Sequence, residues 1–190
     1  MTITFLIRPQ APGDLAAVDQ LHEQAFGPGR FARSAYRVRE ASAGPQIALT
    51  AWDGATLAGA IQLTAVTIGD SAGAMLLGPL AVAPAYKGMG GGQRLIHDSL
   101  AAARRAGRRL IVLVGDLPYY KRAGFAPVPQ GQILFPGPAD PSRILAVELE
   151  AGALGDFHGL IAADNRPWPT VATTPAPQRP AREQPMFVVA

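Results

Sequence analysis

At 190 residues, with 48% hydrophobic and 16% charged residues, the chain has the size and composition of one packed domain with room for an appendage. Its net charge of +3 comes from 17 basic residues scattered along the sequence, which excludes a basic nucleic-acid arm. The absence of cysteine excludes disulfides, thiolate metal sites and cysteine nucleophiles, and His22, His97 and His158 lack metal-ligand spacing.

The opening MTITFLIRPQ has a short apolar run without the basic flank of a signal peptide. Residues 2–8 are apolar and β-branched and predict a first strand. Residues 11–26 predict a helix, with Pro12 at an early position, Asp14 in the first turn, and Leu15, Val18, Leu21 and His22 at helical spacing. Gly27-Pro28-Gly29 stops it, and residues 30–41 predict a second helix. Residues 46–52 and 56–68 read as a hairpin about Asp53-Gly54. Residues 74–82 are nearly all apolar, as in a strand buried on both faces. The apolar run at residues 72–85 is interrupted by Gly78, Pro79 and Pro84, so it falls short of the roughly 20 residues of a membrane-spanning helix. A cytoplasmic location without membrane contact is expected.

A helix is predicted over residues 90–105, with Leu95, Ile96, Leu100 and Ala103 as its apolar stripe and Arg94, Asp98, Arg104 and Arg105 opposite. Residues 110–114 predict a further buried strand, 118–123 a short helix, and Phe125, 133–135 and 144–150 the last strands. From about Asp164 the chain turns proline-rich, so residues 1–163 are read as the domain and 164–190 as a tail without regular structure. The tail ends in Met186-Phe187-Val188-Val189, apolar enough to dock on the same or a neighbouring subunit, which leaves room for a homodimer.

The most informative stretch is residues 76–125. Gly88, Gly90, Gly91 and Gly92 crowd the start of the helix. Each glycine in a helical turn costs roughly 1 kcal/mol relative to alanine. Several together make sense where backbone N–H groups approach a ligand closely. A helix N-terminus offers unpaired N–H donors and a partial positive charge, so an anion, most simply a phosphate, is the natural occupant. The spacing excludes a P-loop, which needs G-x-x-x-x-G-K-[ST]. A Rossmann fingerprint fails because Gln93 stands where its third glycine belongs. A glycine-rich turn with no ligand is the competing reading.

The order strand, Tyr86-x-Gly88-x-Gly90-x-Gly92, helix, strand, then Tyr120-x-x-x-Gly124-Phe125 resembles the GCN5-related N-acetyltransferases (GNAT), and most of all their YhbS-like bacterial branch. The resemblance covers residues 3–150. It implies an α/β fold, a mixed, twisted, V-splayed sheet of about seven strands flanked by helices, and acetyl-CoA as co-substrate. The implied reaction moves acetyl to a primary amine, on a small molecule or a protein, by direct transfer. By resemblance the cofactor-binding positions are Leu80, Ala81 and Val82 on the strand and Lys87, Gly88, Met89, Gly90, Gly91, Gly92 and Gln93 in the loop. Lys87 and Met89 depart from the family pattern, which favours Gln or Arg at the first and often Arg at the second.

Tyr120 matches the family's tyrosine near the CoA sulfur. A phenol of pKa about 10 is protonated at neutral pH and can give its proton to a leaving thiolate. Tyr119 is the neighbouring candidate, as acid or as pocket wall. The strand Met75-Leu76-Leu77-Gly78-Pro79-Leu80-Ala81-Val82 lacks the glutamate that many relatives place there as base. A water chain, an amine that arrives neutral or a carboxylate from elsewhere must then serve. Asp116 is a candidate for the last, ahead of Glu23 and His22, with a capping or turn residue as its competing reading; His97 is read as surface. Arg30 and Arg33 flank the expected acceptor groove. The alternative to an enzyme is a non-catalytic acyl-CoA-binding or sensor domain of the same fold, with an assembly protein that kept only the fold behind it.

Overall fold

The computed structural model describes residues 4–27 and 34–167. The expectations for Arg30, Arg33 and the tail from residue 168 onward lie outside the described residues. Strand β1 (Leu6–Pro9) leads through a 3-10 turn into helix α1 (Leu15–Phe26). Asp14 fixes this junction: it accepts from the Arg8 guanidinium at 2.7 and 2.8 Å and from the Ala11 N–H at 2.7 Å. These donors hold its carboxyl below the usual range. Helix α2 (Ser34–Glu40) precedes a three-strand meander, β2 (Gln46–Asp53), β3 (Thr56–Ile68) and β4 (Ser71–Val82). Helix α3 (Gly91–Arg105) then crosses to β5 (Leu110–Val114), followed by the one-turn helix α4 (Leu117–Tyr120). Short strands β6 (Ala126–Pro127) and β7 (Ile133–Leu134), then β8 (Ile144–Glu148) and β9 (Gly159–Ala163), finish the sheet.

The sheet order is β1-β2-β3-β4-β5-β8-β6, with β9 between β3 and β7 off that path. Nine strands are therefore found among the described residues against about seven expected. The main path has the expected number. The surplus comes from the β7–β9 pair: β9 takes the place beside Val66–Ile68 where β2 has ended. Its sequence, GLIAA, buries only Ile161, so it carries too little alternation to announce itself.

The sheet is covered on both faces. Met75, Leu77, Ile111 and Leu113 pack with the Leu95, Ile96 and Leu100 stripe of α3. The alternate residues Leu76 and Val112 pack on the opposite face with Val38, Phe157 and Ile161. The predicted stripe of α3 is thus the buried one.

One irregularity positions the site. Parallel pairing of β4 with β5 runs only from Ala74/Leu110 to Leu76/Val112. Beyond it β4 has a bulge: Leu77 faces Leu63 while Leu80 faces Ile61, so three steps in β4 oppose two in β3. Gly78 there takes φ +124°, open to glycine, and Pro79 has no N–H to donate. The bulge bends the end of β4 away from β5, and the two strands splay. Residues 80–82 stay paired to β3 on one side only.

Candidate functional site

Two clefts lie along the splay. The first, about 480 Å³, is lined by Leu80, Ala81 and Val82, by Tyr86, Lys87, Gly88 and Gly90 of the loop, by the start of α3, and by Tyr119, Tyr120 and Arg122. The second, about 510 Å³, lies over Leu77, Gly78 and Pro79 and is closed by Arg39, Asp116, Asp140 and Arg143. Phe26, Leu80 and Tyr120 belong to both walls.

Register decides which backbone groups face the first cleft. Ala83 donates to the Ala58 carbonyl at 2.9 Å, so the alternation of an antiparallel ladder turns the N–H and C=O of Val82 and Leu80 away from β3. Those groups face the splay. Ala81 points its main chain back to β3.

The loop before α3 is a tight turn. Lys87 and Met89 donate their N–H groups back to Pro84 and Tyr86 at 3.3 Å each. Gly88 and Gly90 take φ of +79° and +85°, where a side chain would be strained. Gly90 caps α3 and has no side chain to satisfy the first turn, so the N–H groups of Gly91, Gly92 and Gln93 have no intrahelical acceptor. A Cβ on Gly92 would run into the Tyr119 hydroxyl and lie 3.2 Å from Val82. The first cleft contains the cations Lys87 and Arg122 and, among the described residues, no carboxylate. Open N–H donors, two cations and an exposed strand edge together suit a long ligand with phosphates at one end and amide groups at the other.

Of the loop positions expected to bind, Lys87, Gly88, Gly90, Gly91, Gly92 and Gln93 line the cleft. Met89 does not: its side chain is 50% exposed and its N–H is taken by Tyr86. The sequence reading passed over Arg122, Tyr86 and Phe26 as lining residues. Arg122 sits within the tyrosine motif itself, two residues past Tyr120, and its position there is the signal that was available.

Tyr120 stands where the clefts meet. Its ring lies over Gly115, where a Cβ would collide with it, and makes edge contacts with Tyr119 at 5.1 Å and Phe125 at 5.7 Å. Burial first, then the neighbouring Tyr119 and Asp116, push its phenol up to about 12. It is a neutral proton donor throughout the physiological range. Burial also raises the Tyr119 phenol, against a lowering contribution from Gln93.

The candidate bases are less well placed. Asp116 lines the second cleft, but its side chain is 75% exposed and pairs with Arg143 Nη2 at 3.0 Å. Its backbone carbonyl does the capping, accepting from the Tyr119 and Tyr120 N–H groups at 3.0 and 3.2 Å. Glu23 lines neither of the two clefts, and His22 lines a separate smaller one of about 290 Å³. His97 is exposed and bonded to Asp98, as a surface residue. Among the described residues no three His, Asp or Glu side chains gather to hold a metal, and no helix is long and apolar enough to cross a membrane.

Comparison with known proteins gives the same outline. A family model described as "Acetyltransferase (GNAT) family" matches residues 15–125. The uncharacterized N-acetyltransferase YjhQ of Escherichia coli K12 is 34% identical over 121 residues, 60% of this chain and 65% of that protein, just under two thirds of its length. The uncharacterized N-acetyltransferase YhbS of the same organism is 25% identical over 158 residues, 83% of this chain and 95% of that protein. The crystal structure of Escherichia coli YhbS in complex with CoA has the same fold, with TM-score 0.73 at 24% identity over 86% of this chain and 92% of that one. A Brucella melitensis GNAT family acetyltransferase in complex with acetyl-CoA is 33% identical, with TM-score 0.55 over 77% of this chain and 97% of that one.

Proposed function

Because the chain belongs to the acetyltransferase (GNAT) family, we propose that it moves an acetyl group from acetyl-CoA directly to a primary amine, with Tyr120 as the general acid. The observation that carries this reading is the meeting of two clefts at one protonated phenol. The first cleft suits the donor: glycine-loop N–H groups and Lys87 toward phosphate, and the outward main-chain groups of Leu80 and Val82 toward the amides of the pantetheine arm. The second suits the acceptor. Phe26 and Leu80 form the apolar walls where the two would touch.

In this scheme the amine nitrogen bonds to the thioester carbonyl carbon and the carbon–sulfur bond breaks. Tyr120 gives its proton to the departing sulfur, and the amine loses a proton to solvent. A lysine-like amine has a pKa near about 10.4, so it must shed its extra proton before attack. β4 carries no carboxylate for that, so a water, an amine that arrives neutral or a carboxylate from elsewhere, Asp116 first, must serve. The missing carboxylate base and the altered loop at Lys87 and Met89 favour the alternative, an acyl-CoA-binding domain without turnover. The test is thiol release from acetyl-CoA across a panel of primary amines. Release that depends on both amine and Tyr120 supports transfer; tight CoA binding without release across the panel supports the binding domain.

A further inference from the structure

We propose that Gln93 is a positioning residue that clamps the peptide plane leading into Tyr120, and so ties the phosphate-facing turn of α3 to the general acid. This rests on the proposed role of Tyr120. Gln93 is the third residue of α3, and its side-chain Nε2 donates to the backbone carbonyl of Tyr119 at 3.0 Å. That carbonyl shares a rigid peptide unit with the N–H of Tyr120. The N–H on the other side of the unit donates to the Asp116 carbonyl at 3.2 Å. The plane is therefore held at both ends, once from within α4 and once from α3.

A second contact joins the same two elements. The Tyr119 hydroxyl lies against Gly92, the residue before Gln93, at a spot where no Cβ fits. The start of α3 and the single turn of α4 thus touch through the Gln93 amide, which meets both the carbonyl and the phenol of Tyr119, and through that phenol packed on Gly92. Holding the Tyr119–Tyr120 peptide plane sets the N–Cα bond from which the Tyr120 side chain departs. The ring then lies over Gly115, between Tyr119 and Phe125. A one-turn helix of four residues has little cooperativity of its own to hold that direction. Gln93 supplies the hold from a fifteen-residue helix that is packed into the core. The amide is uncharged, so the clamp is independent of pH over the working range.

The experiment compares wild type with Gln93→Met, which keeps the length of the side chain and removes the donor, and Gln93→Glu, which keeps its shape and cannot donate when ionised. Two readouts are taken on the full-length protein: steady-state kinetics with acetyl-CoA, and amide hydrogen exchange of residues 117–123 without ligand. Loss of one hydrogen bond corresponds to a kcat decrease of about five- to ten-fold. Both variants should show that decrease, with KM for acetyl-CoA within about two-fold of wild type in Gln93→Met and faster exchange across residues 117–123 in both. A raised KM with unchanged kcat would make Gln93 a ligand contact and overturn the proposal, as would unchanged exchange in both variants. If wild type turns over no amine, the functional reading falls, while the exchange comparison still decides the clamp.

Discussion

Apart from Ala25 and Phe26, the first cleft is lined by residues drawn from a single stretch, 80–122, whereas the second takes its walls from α2, the β4 bulge, the end of β5 and residues 138–143. The first is built largely of backbone: outward strand edges, a left-handed glycine turn, a helix start. The second is built of side chains with both signs of charge, Arg39 and Arg143 against Asp116 and Asp140. A site made of main chain can keep its ligand through many side-chain changes. A site made of scattered side chains can change acceptor without disturbing the donor. Of the two residues that depart from the family pattern, Lys87 lines the cleft as a cation and Met89 faces solvent.

The largest effect is expected at Tyr120, one of the three residues both clefts share. Tyr120→Phe should lower kcat about 100-fold or more, with acetyl-CoA affinity nearly unchanged, since a positioned general acid contributes about 10²–10⁴-fold. Thiol-release kinetics and calorimetry separate the two quantities. Next comes a change confined to the first cleft. Gly92→Val would push against the Tyr119 hydroxyl and Val82, and should weaken CoA binding about ten-fold or more while the acceptor KM of any residual activity stays near wild type. The converse change is smaller: Asp116→Asn frees Arg143 in the second cleft and should shift the acceptor KM a few-fold without altering CoA affinity. If Asp116 were the base, kcat would fall with it.

The pH profile gives the subtlest test. The acid works in its protonated form, and Tyr120 is pushed up to about 12, so activity should persist as pH rises and be lost only as the phenol ionises. The kcat profile should show no alkaline decline near pH of about 10, where an ordinary phenol would begin to ionise. A decline there that disappears in Tyr120→Phe would mean the phenol is not shielded as the packing against Gly115 and Phe125 requires.

The same contrast sets how much of the molecule is legible in its sequence. The donor side was legible because its information is local: glycines in one turn, an apolar stripe on α3, a tyrosine six residues past β5. The meander, the two-faced burial of β4 and the short helix bearing Tyr120 followed from periodicity and turn residues. The bulge at Gly78-Pro79 was visible as composition but not as geometry, since its effect depends on which strand lies opposite. Strand β9 stayed hidden because one inward residue, Ile161, cannot display a period. The ion pair of Asp116 with Arg143, 27 positions on in a proline-rich stretch, exists only through the β5–β8 pairing. Met89 sits inside the glycine motif, yet its N–H bonds to Tyr86 and its side chain is exposed, which spacing alone does not display.

On the proposed function, the glycine-loop cleft binds acetyl-CoA independently of the cleft across Tyr120. Calorimetric titration of wild type, Gly92→Val and Asp116→Asn with acetyl-CoA and with CoA tests it directly. The expected result is micromolar binding at one site in wild type and Asp116→Asn, lost or strongly weakened in Gly92→Val. No binding by wild type, or undiminished binding by folded Gly92→Val, would mean that this cleft is not the acetyl-CoA site.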